Sequence, residues 1–278
     1  MVLISALSSA GAAEESWKPL FNGKDLTGWE SYLAKPLPTS IVPGAEKDAK
    51  GAYTKPLGVN NDPLHVFSVV KINDQPTIHV TGEVIGTLTT LESYSNYHLK
   101  FQFKWGEKRW TNPQKPRNAG FLYHAHGKEG EVGGNWMHSH QFQIQEGSCG
   151  EYISVGDAVM DVRAKRLAPQ KYVYDPAGES LSFFLKSPDA VRCAKAGDFE
   201  KPTGEWNTFE IISLGNSVIH VVNGHVVLRG TNSRQTVGET TKPLAGGQLQ
   251  LQVEGSEMDF RDLQIRTIDQ VPAEFATQ

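Results

Sequence analysis

Cysteine and long apolar runs are what this sequence lacks most clearly. Its two cysteines, Cys149 and Cys193, could pair in an oxidising compartment, but two alone do not establish a disulfide, so their pairing stays open. No stretch of about 18 apolar residues occurs, so the sequence predicts no transmembrane helix. A convincing amphipathic helix of three turns is also missing, which argues against an α-helical fold.

A large surplus of charge of one sign is absent as well. The formal net charge is -4 at pH 7, and the lysines and arginines are scattered along the chain. Without a basic stripe, neither nucleic acid nor an anionic membrane surface is expected as a partner. The oligomeric state stays open at this level.

The first sixteen residues, MVLISALSSAGAAEES, contain no cation. They combine a short apolar piece with small residues, a composition typical of the end of a secretory signal; a disordered tail is the alternative. The first interpretation predicts a periplasmic or secreted protein of a bacterial cell envelope. Residues 17–278 are then expected to form one domain, because nothing in their composition requires two.

Apolar runs of strand length, separated by turn residues, recur through most of the chain. The clearest run alternates apolar and polar positions over Tyr97, Leu99, Phe101, Phe103 and Trp105, which predicts a half-buried strand.

Turn chemistry supports the same fold class. Asn223 and Gly224 lie between two apolar runs and predict a type I′ hairpin, because both residues tolerate a positive φ. Residues 33–63, rich in Pro, Gly, Lys and Asn, predict an extended surface segment. Together these patterns predict an all-β protein, a two-sheet antiparallel jelly-roll sandwich of the concanavalin-A type.

The segment from residue 117 to residue 150 is the densest in reactive groups, with four of the nine histidines. Its two ends read as strands, and the glycine-rich stretch 127–137 between them predicts a long loop. If the apolar side chains face the core, His124, His126 and three glutamines share the opposite face.

The four histidines form two His-x-His pairs, at 124 and 126 and at 138 and 140. On a strand, each pair could offer two imidazoles to a divalent metal, although solvated histidines are the commoner case. His138 and His140 share the parity of Phe142, so we expect them to point towards the core, away from the first pair.

A ladder of amides stands where sandwich-type glucanases carry paired carboxylates. Gln141, Gln143 and Gln145 can hydrogen-bond sugar hydroxyls, but they can neither attack an anomeric carbon nor release a proton. A double-displacement glycosidase is therefore disfavoured. Glu146 remains as an ionisable group at the strand end. An ordinary solvated carboxylate with no role in catalysis is an equally good interpretation of this residue.

Further candidate ligand-binding residues lie beside these strands. Arg117 and Asn118 precede the first strand and could bind a polar ligand or cap the loop, and Glu254 ends a later strand. Trp136 and Trp110 occur in loop-like contexts, where an indole could stack on a sugar ring.

Five blocks carry a family resemblance, and they occur in this order: LFNGKDLTGW, NAGFLYHAHGKEG, QFQIQEGSCGEY, WNTFEIISLGNSVIHVVNG and GGQLQLQVEGSEMDFRDLQI. Over roughly residues 17–267 the chain resembles the 3-keto-disaccharide hydrolase domain family. The resemblance implies a concanavalin-A-like jelly roll, export by bacteria and action on glycosides oxidised at C3.

Carried over to this sequence, the family motifs fall on Asn118, Ala119 and Gly120, on Leu122, Tyr123 and His124, on Gln143, Gln145, Glu146 and Gly147, and on Glu254 and Gly255. Many members have glutamate at the position of Gln141. That departure favours Glu146 or His124 as the ionisable group.

A ketone at C3 acidifies the C2 proton, so one base could start β-elimination of the C1 substituent, followed by hydration. We expect His124 or Glu146 as the catalytic base. Substrate-binding roles are expected for seven residues: Arg117, Asn118, His126, Trp136, Gln141, Gln143 and Glu254. The substrate would be a small-molecule glycoside or an oligosaccharide. A divalent metal is a possible cofactor, and whether one is needed stays open at this level. The rival function is a non-catalytic, lectin-like carbohydrate-binding module.

Overall fold

A computed structural model describes residues 16–278 of the protein. The prediction of a signal or tail over residues 1–16 lies outside the described residues, apart from Ser16. Within residues 16–278 the regular structure consists of strands and one helix of four residues. No helix in this part of the chain is long and apolar enough to cross a bilayer.

The strands of the first half of the chain are β1 (Lys18–Pro19), β2 (Trp29–Leu33), β3 (Gly58–Val59), β4 (Phe67–Ile72), β5 (Gln75–Val80), β6 (Gly86–Thr90), β7 (Tyr94–Ser95), β8 (Tyr97–Arg109) and β9 (Asn118–His126). The remaining elements are β10 (His138–Gln145), β11 (Tyr152–Val155), β12 (Ala158–Ala168), β13 (Lys171–Tyr174), β14 (Glu179–Phe184), β15 (Arg192–Cys193), β16 (Asn207–Leu214), β17 (Ser217–Val222), β18 (His225–Val237), β19 (Thr240–Pro243), β20 (Gly246–Val253), β21 (Ser256–Thr267) and α1 (Ala273–Ala276).

The strands form two antiparallel sheets. The 12-stranded sheet runs β13-β12-β18-β17-β16-β8-β21-β5-β4, with β1, β14 and β19 paired beside it, and the 9-stranded sheet runs β15-β11-β10-β9-β20-β6-β2-β3, with β7 beside β20. Every named strand pair is antiparallel, from β1 with β21 to β4 with β5. The predicted two-sheet jelly-roll sandwich is confirmed.

Aromatic side chains join the two sheets through one shared core. Phe101 of β8 stacks on Phe121 of β9 with ring centroids 4.7 Å apart, and Phe209 of β16 packs on Phe142 of β10 at 5.2 Å. All four rings are fully buried. Burying a side chain of this size contributes about 1.5–3 kcal/mol relative to exposure, so these contacts hold the sheets face to face.

The turn predicted at Asn223 and Gly224 and the irregular segment predicted over residues 33–63 both agree with the structure. Asn223 and Gly224 connect β17 to β18 with φ values of 49° and 83°, as a type I′ turn requires. Residues 33–63 contain little regular structure, but they are anchored where Tyr53 is buried and donates a hydrogen bond of 2.8 Å to the backbone oxygen of Ser40.

One extra residue in β9 changes the face on which its last histidines lie. On β10, the step from His140 to His138 spans two residues, whereas on β9 the matching step from Tyr123 to His126 spans three. The bulge lies at His124, whose φ is 55°. Such a bulge reverses the side-chain alternation beyond it.

The expectation that His124 and His126 share the face of the glutamines is therefore wrong. His124 is fully buried between the sheets, with Nε2 3.1 Å from the hydroxyl of Ser213 on the opposite sheet. His126 contacts Asp157. His140 is fully buried in the core as expected. His138 lies half-buried at the end of the sandwich, where it stacks on His126 instead of lying apart from it.

Three neutral histidines lie inside the sandwich with all their ring nitrogens engaged. His220 donates from Nδ1 to the backbone oxygen of Gly150 and accepts from the hydroxyl of Tyr123, both at 2.9 Å. Burial, opposed in part by that backbone bond, lowers the pKa of His220 to about 4. Burial likewise lowers the pKa of His124 to about 4 and that of His140 well below its ordinary value.

Cys149 and Cys193 are both buried as free thiols, so no disulfide joins them in this structure.

The buried histidines predict an acid-sensitive fold. A group with a lower pKa in the folded protein binds fewer protons than it does unfolded, so stability falls as the pH drops below about 6.5. For His220, with its pKa near 4, the loss between pH 7 and pH 5 is about 2 kcal/mol. We expect His220→Gln, which keeps a donor and an acceptor, to remove that part of the pH dependence in urea unfolding. The exposed His225, changed to Gln, serves as the matched control. An unaltered slope in His220→Gln would show that this imidazole is already protonated or solvated in the folded protein.

Candidate active site

The outer face of the 9-stranded sheet, opposite the core, carries a layer of amide side chains. We call this layer the amide face; its members are Asn118 on β9, Gln141, Gln143 and Gln145 on β10, and Gln250 and Gln252 on β20. They are brought together because β9 lies between β10 and β20 in the sheet. Alternation along each strand then places every second side chain on the same surface.

A cleft of about 440 Å³ opens over one part of the amide face. Its lining includes five amide-face residues, together with Glu254, Trp136 and Arg192. The volume falls within the range of small-molecule sites. Polar groups on the floor and an indole at the wall match the hydroxyl edges and the apolar face of a sugar ring.

A chain of hydrogen bonds crosses the floor of the cleft and ends on Glu254. Gln141 Nε2 donates to Gln143 Oε1, Gln143 Nε2 donates to Asn118 Oδ1 at 2.8 Å, and Asn118 Nδ2 donates to Glu254 Oε2. Gln252 Nε2 donates to the same carboxylate oxygen at 3.3 Å. Because an ionised carboxylate only accepts, it fixes the orientation of each amide in the chain.

Glu254 is an ionisable group at the floor of the cleft, and its pKa is raised above the ordinary value of a glutamate, as suits a base. Burial raises the pKa of its carboxyl above the ordinary value, and the hydrogen bond from Asn118 partly opposes that rise. A carboxylate that is partly desolvated and still reachable from a cleft is a stronger base than one in water.

Glu146, expected as a base, is held in an ion pair outside the lining of the cleft. Its carboxylate accepts from the guanidinium of Arg117 at 2.5 Å, from Arg109 at 3.2 Å and from the hydroxyl of Thr203 at 2.9 Å. Burial alone would raise the pKa of Glu146, but the bonds from the backbone N–H and guanidinium of Arg117 outweigh it and lower the pKa. Glu146 and Arg117 thus tie the end of β10 to the start of β9.

The remaining predicted residues divide into two groups. Asn118, Gln141, Gln143, Trp136 and Glu254 all line the cleft. His124 lies inside the sandwich, whereas His126 stands at its end, paired with Asp157 at 2.8 Å and stacked on His138. The nitrogen or oxygen atoms that His126, His138 and Asp157 could offer to a metal ion lie within 4.8 Å of one another.

The loop over residues 127–137 carries Trp136 to the cleft, and two contacts fix it on the sheet. Glu129 accepts hydrogen bonds from the hydroxyls of Thr87 at 3.0 Å and Thr89 at 2.5 Å, and from Gln250 at 3.0 Å. Tyr32 donates from its hydroxyl to the backbone oxygen of Gly134 at 2.9 Å. The predicted long loop is therefore a packed wall of the site.

Sequence reasoning missed three residues that bear on this site. Gln252 follows the alternation of the LQLQV block, so its strand pattern could have placed it on the amide face. Glu129 in the loop and Arg192 at β15 carry no comparable signal. Arg192 donates to Gln145 Oε1 at 3.3 Å and pairs with Glu151, so it reaches the cleft from a segment distant in sequence.

Known structures with related folds are distant. A candidate glycosyl hydrolase from Parabacteroides distasonis is 18% identical over 91% of this chain and 94% of its own, with a TM-score of 0.47. A carbohydrate-binding module, CBM66 of Bacillus subtilis, is 5% identical over 72% and 91%, with a TM-score of 0.41. The β-glucanase of Bacillus licheniformis is 10% identical over 93% and 100%, with a TM-score of 0.39. No curated protein matches the sequence.

A family model does match most of the chain. The model of the 3-keto-alpha-glucoside-1,2-lyase-like domain aligns with residues 16–266, which includes both sheets and the whole amide face. The protein is therefore a member of the family defined by the 3-keto-alpha-glucoside-1,2-lyase-like domain.

Proposed function

We propose that the protein cleaves the glycosidic bond of 3-keto-glycosides, with Glu254 as the base that removes the C2 proton. Membership of the family supports the reaction class. The observation that carries the assignment of the base is the half-buried carboxylate of Glu254, whose pKa is raised by burial at the floor of the cleft.

The proposed reaction needs one proton abstraction and no oxocarbenium ion. Glu254 takes the proton from C2, and the electrons of the C–H bond form an enolate with the C3 carbonyl. The enolate expels the alkoxide from C1, which leaves a C1=C2 double bond. The proton taken up by Glu254 passes to the alkoxide, directly or through water, which gives a free alcohol and returns Glu254 to its ionised form. Water then adds its hydroxyl to C1 and its hydrogen to C2, which gives the free 3-keto sugar.

The expected bases, His124 and Glu146, suit this reaction less well. The pKa of His124 is lowered by burial, and the ring is closed off by the two sheets. The pKa of Glu146 is lowered as well, and two arginines occupy its oxygens. Both are therefore weaker bases than Glu254 and lie outside the lining of the cleft.

Other groups of the cleft fit the remaining demands of the reaction. The amides of the floor can donate to and accept from the sugar hydroxyls, and Trp136 offers an aromatic surface to the ring. The guanidinium of Arg192 supplies positive charge for the enolate oxygen. A protein charge that stabilises the negative charge developing in the transition state raises the rate more than one that stabilises the bound substrate equally well.

A lectin-like carbohydrate-binding module is the second candidate. Most of the lining of the cleft is uncharged, and its amide side chains can hydrogen-bond sugar hydroxyls. Such a surface can bind glycans without cleaving them, so an assay for bond cleavage separates the two functions.

We also propose that the protein works in the periplasm or outside the cell, where it would meet its glycoside substrate.

The first test compares an aryl glucoside with its 3-keto derivative. We expect phenol to be released only from the ketone, because only the ketone acidifies the C2 hydrogen. In deuterated water the product should carry deuterium at C2, whereas direct hydrolysis leaves that hydrogen in place. Binding of both compounds with no release of phenol would identify a lectin, and phenol release without deuterium at C2 would contradict elimination.

The second test removes the proposed base. Glu254→Gln keeps the shape of the side chain but cannot take a proton, so we expect kcat on the 3-keto substrate to fall by about 10²–10⁴-fold. Substrate binding, measured by calorimetry, should change much less, because a loss confined to kcat marks an interaction of the chemical step. Glu146→Gln is the matched control, with an expected loss of stability and little loss of kcat. The reverse pattern would make Glu146 the base.

The third test uses the hydrogen bond between Asn118 and Glu254. That bond stabilises the charged carboxylate, so Asn118→Ala should raise the pKa of Glu254 further. Since the base acts only when ionised, the acidic limb of the profile of kcat/KM against pH should move to higher pH. Gln145→Ala, on the same face but without a bond to Glu254, should leave the limb in place. A limb that stays fixed in Asn118→Ala would mean that another group titrates.

A further inference from the structure

We infer that His126, His138 and Asp157 form a binding site for a first-row transition-metal ion of the zinc or cobalt kind, which closes the base of the loop over residues 127–137. The two histidines stand at the last residue of β9 and the first residue of β10, where they pair across the strands. Asp157 comes from the turn between β11 and β12. The inference does not depend on the proposed reaction.

The hydrogen bonds of the two imidazoles show which ring nitrogen carries no hydrogen in each. His126 Nδ1 lies 3.0 Å from the backbone oxygen of His124, which can only accept, so Nδ1 carries the hydrogen and a neutral ring presents a lone pair at Nε2. His138 Nδ1 accepts the backbone N–H of Asp157 at 3.0 Å, so that nitrogen carries no hydrogen, and a metal ion bound there would replace this hydrogen bond.

Both of these nitrogens lie close to the same carboxylate oxygen. His126 Nε2 is 2.8 Å and His138 Nδ1 is 3.2 Å from Oδ1 of Asp157. Three electron-rich atoms this close require a positive charge among them, supplied by a proton on His126 or by a metal ion. In a tetrahedral site with bonds of about 2.0–2.2 Å, ligand atoms stand about 3.3–3.6 Å apart. The two distances to Oδ1 would need only a small widening, and the two nitrogens lie within 4.8 Å of each other.

The surroundings supply outer contacts of the kind that hold metal ligands. The backbone oxygen of His124 accepts from His126, and Gln235 donates from Nε2 to Asp157 Oδ2 at 2.7 Å, which leaves Oδ1 for the ion. Glu131 of the loop lies 3.8 Å from the far nitrogen of His138. Such partners orient the ligating atoms and raise their basicity.

An open side of the cluster faces a second cleft, of about 780 Å³, whose lining includes His138, Asp157 and Glu131. Val132 and Gly133 line both this cleft and the one over the amide face, so the loop separates the two. Three protein ligands with one free position are common for zinc-type ions. Two imidazoles and one carboxylate favour such ions over Mg²⁺ and Ca²⁺, which prefer oxygen ligands.

The test measures metal binding to the untagged full chain, first stripped with a chelator. We expect one Co²⁺ per chain by calorimetry, a visible d–d absorption band of bound Co²⁺, and displacement by Zn²⁺ but not by Mg²⁺. His126→Gln, Asp157→Asn and, on the other strand, His138→Gln should each weaken binding by more than about a hundredfold, because even outer contacts are worth about 10- to 100-fold.

His79→Gln is the matched control, since His79 also pairs with a carboxylate, Asp259, at 2.8 Å but has no second imidazole beside it. It should leave the affinity for Co²⁺ unchanged. Circular dichroism establishes which variants are folded, and the three positions on separate elements keep the test decisive if one variant fails to fold. No binding by the native protein, or equal binding by all variants, would overturn the inference and leave a plain imidazolium–carboxylate pair.

A second readout reports on the loop itself. Lys128 is exposed just beyond His126, so trypsin cleavage after it measures opening of the loop base. We expect Co²⁺ to slow this cut in the native protein and in His79→Gln, but not in Asp157→Asn. Metal binding without protection at Lys128 would refute the closing role while retaining the site.

Discussion

The extra residue that β9 carries at His124 decides which chemistry faces the outside of this protein. Without it, strict alternation would place His124 and His126 on the amide face beside Asn118. With it, the backbone of His124 adopts a φ of 55°, His124 turns into the core, and His126 lies at the end of the sandwich beside Asp157. A positive φ costs a non-glycine residue about 1–3 kcal/mol, which the surrounding ladders and the two hydrogen bonds of His124 offset.

The bulge thereby separates two polar systems that the sequence interleaves. Inside the sandwich, the imidazoles of His124, His140 and His220 are neutral, and each ring nitrogen has a hydrogen-bond partner. They therefore fill space between the sheets without leaving a buried polar atom unpaired. Outside, the amide face directs its donors towards Glu254. An interior imidazole and an exterior carboxylate therefore have opposite pKa shifts for the same physical reason, since burial disfavours the charged form of each.

Much of this architecture follows from local patterns. The alternation of β8, the turn at Asn223 and Gly224, and the long loop after β9 depend on near neighbours in the chain, and all three were predictable. The glutamines of β10 were placed on the correct face for the same reason. The ion pair of Glu146 with Arg109 and Arg117 was not predicted. Its charged partners come from other parts of the chain, so the residues next to Glu146 in the sequence do not indicate them.

By itself, the sequence determined the fold class, the amide character of one strand face and five of the residues that line the cleft, because side-chain alternation and turn preferences are properties of short segments. Only the tertiary structure decided which ionisable group faces the cleft. Strand order sets Glu254 beside Asn118, and one inserted residue sends His124 inward and His126 to Asp157. Burial and neighbouring charges act through space. The pKa and the accessibility of each group are therefore set by contacts between segments that are far apart in the chain.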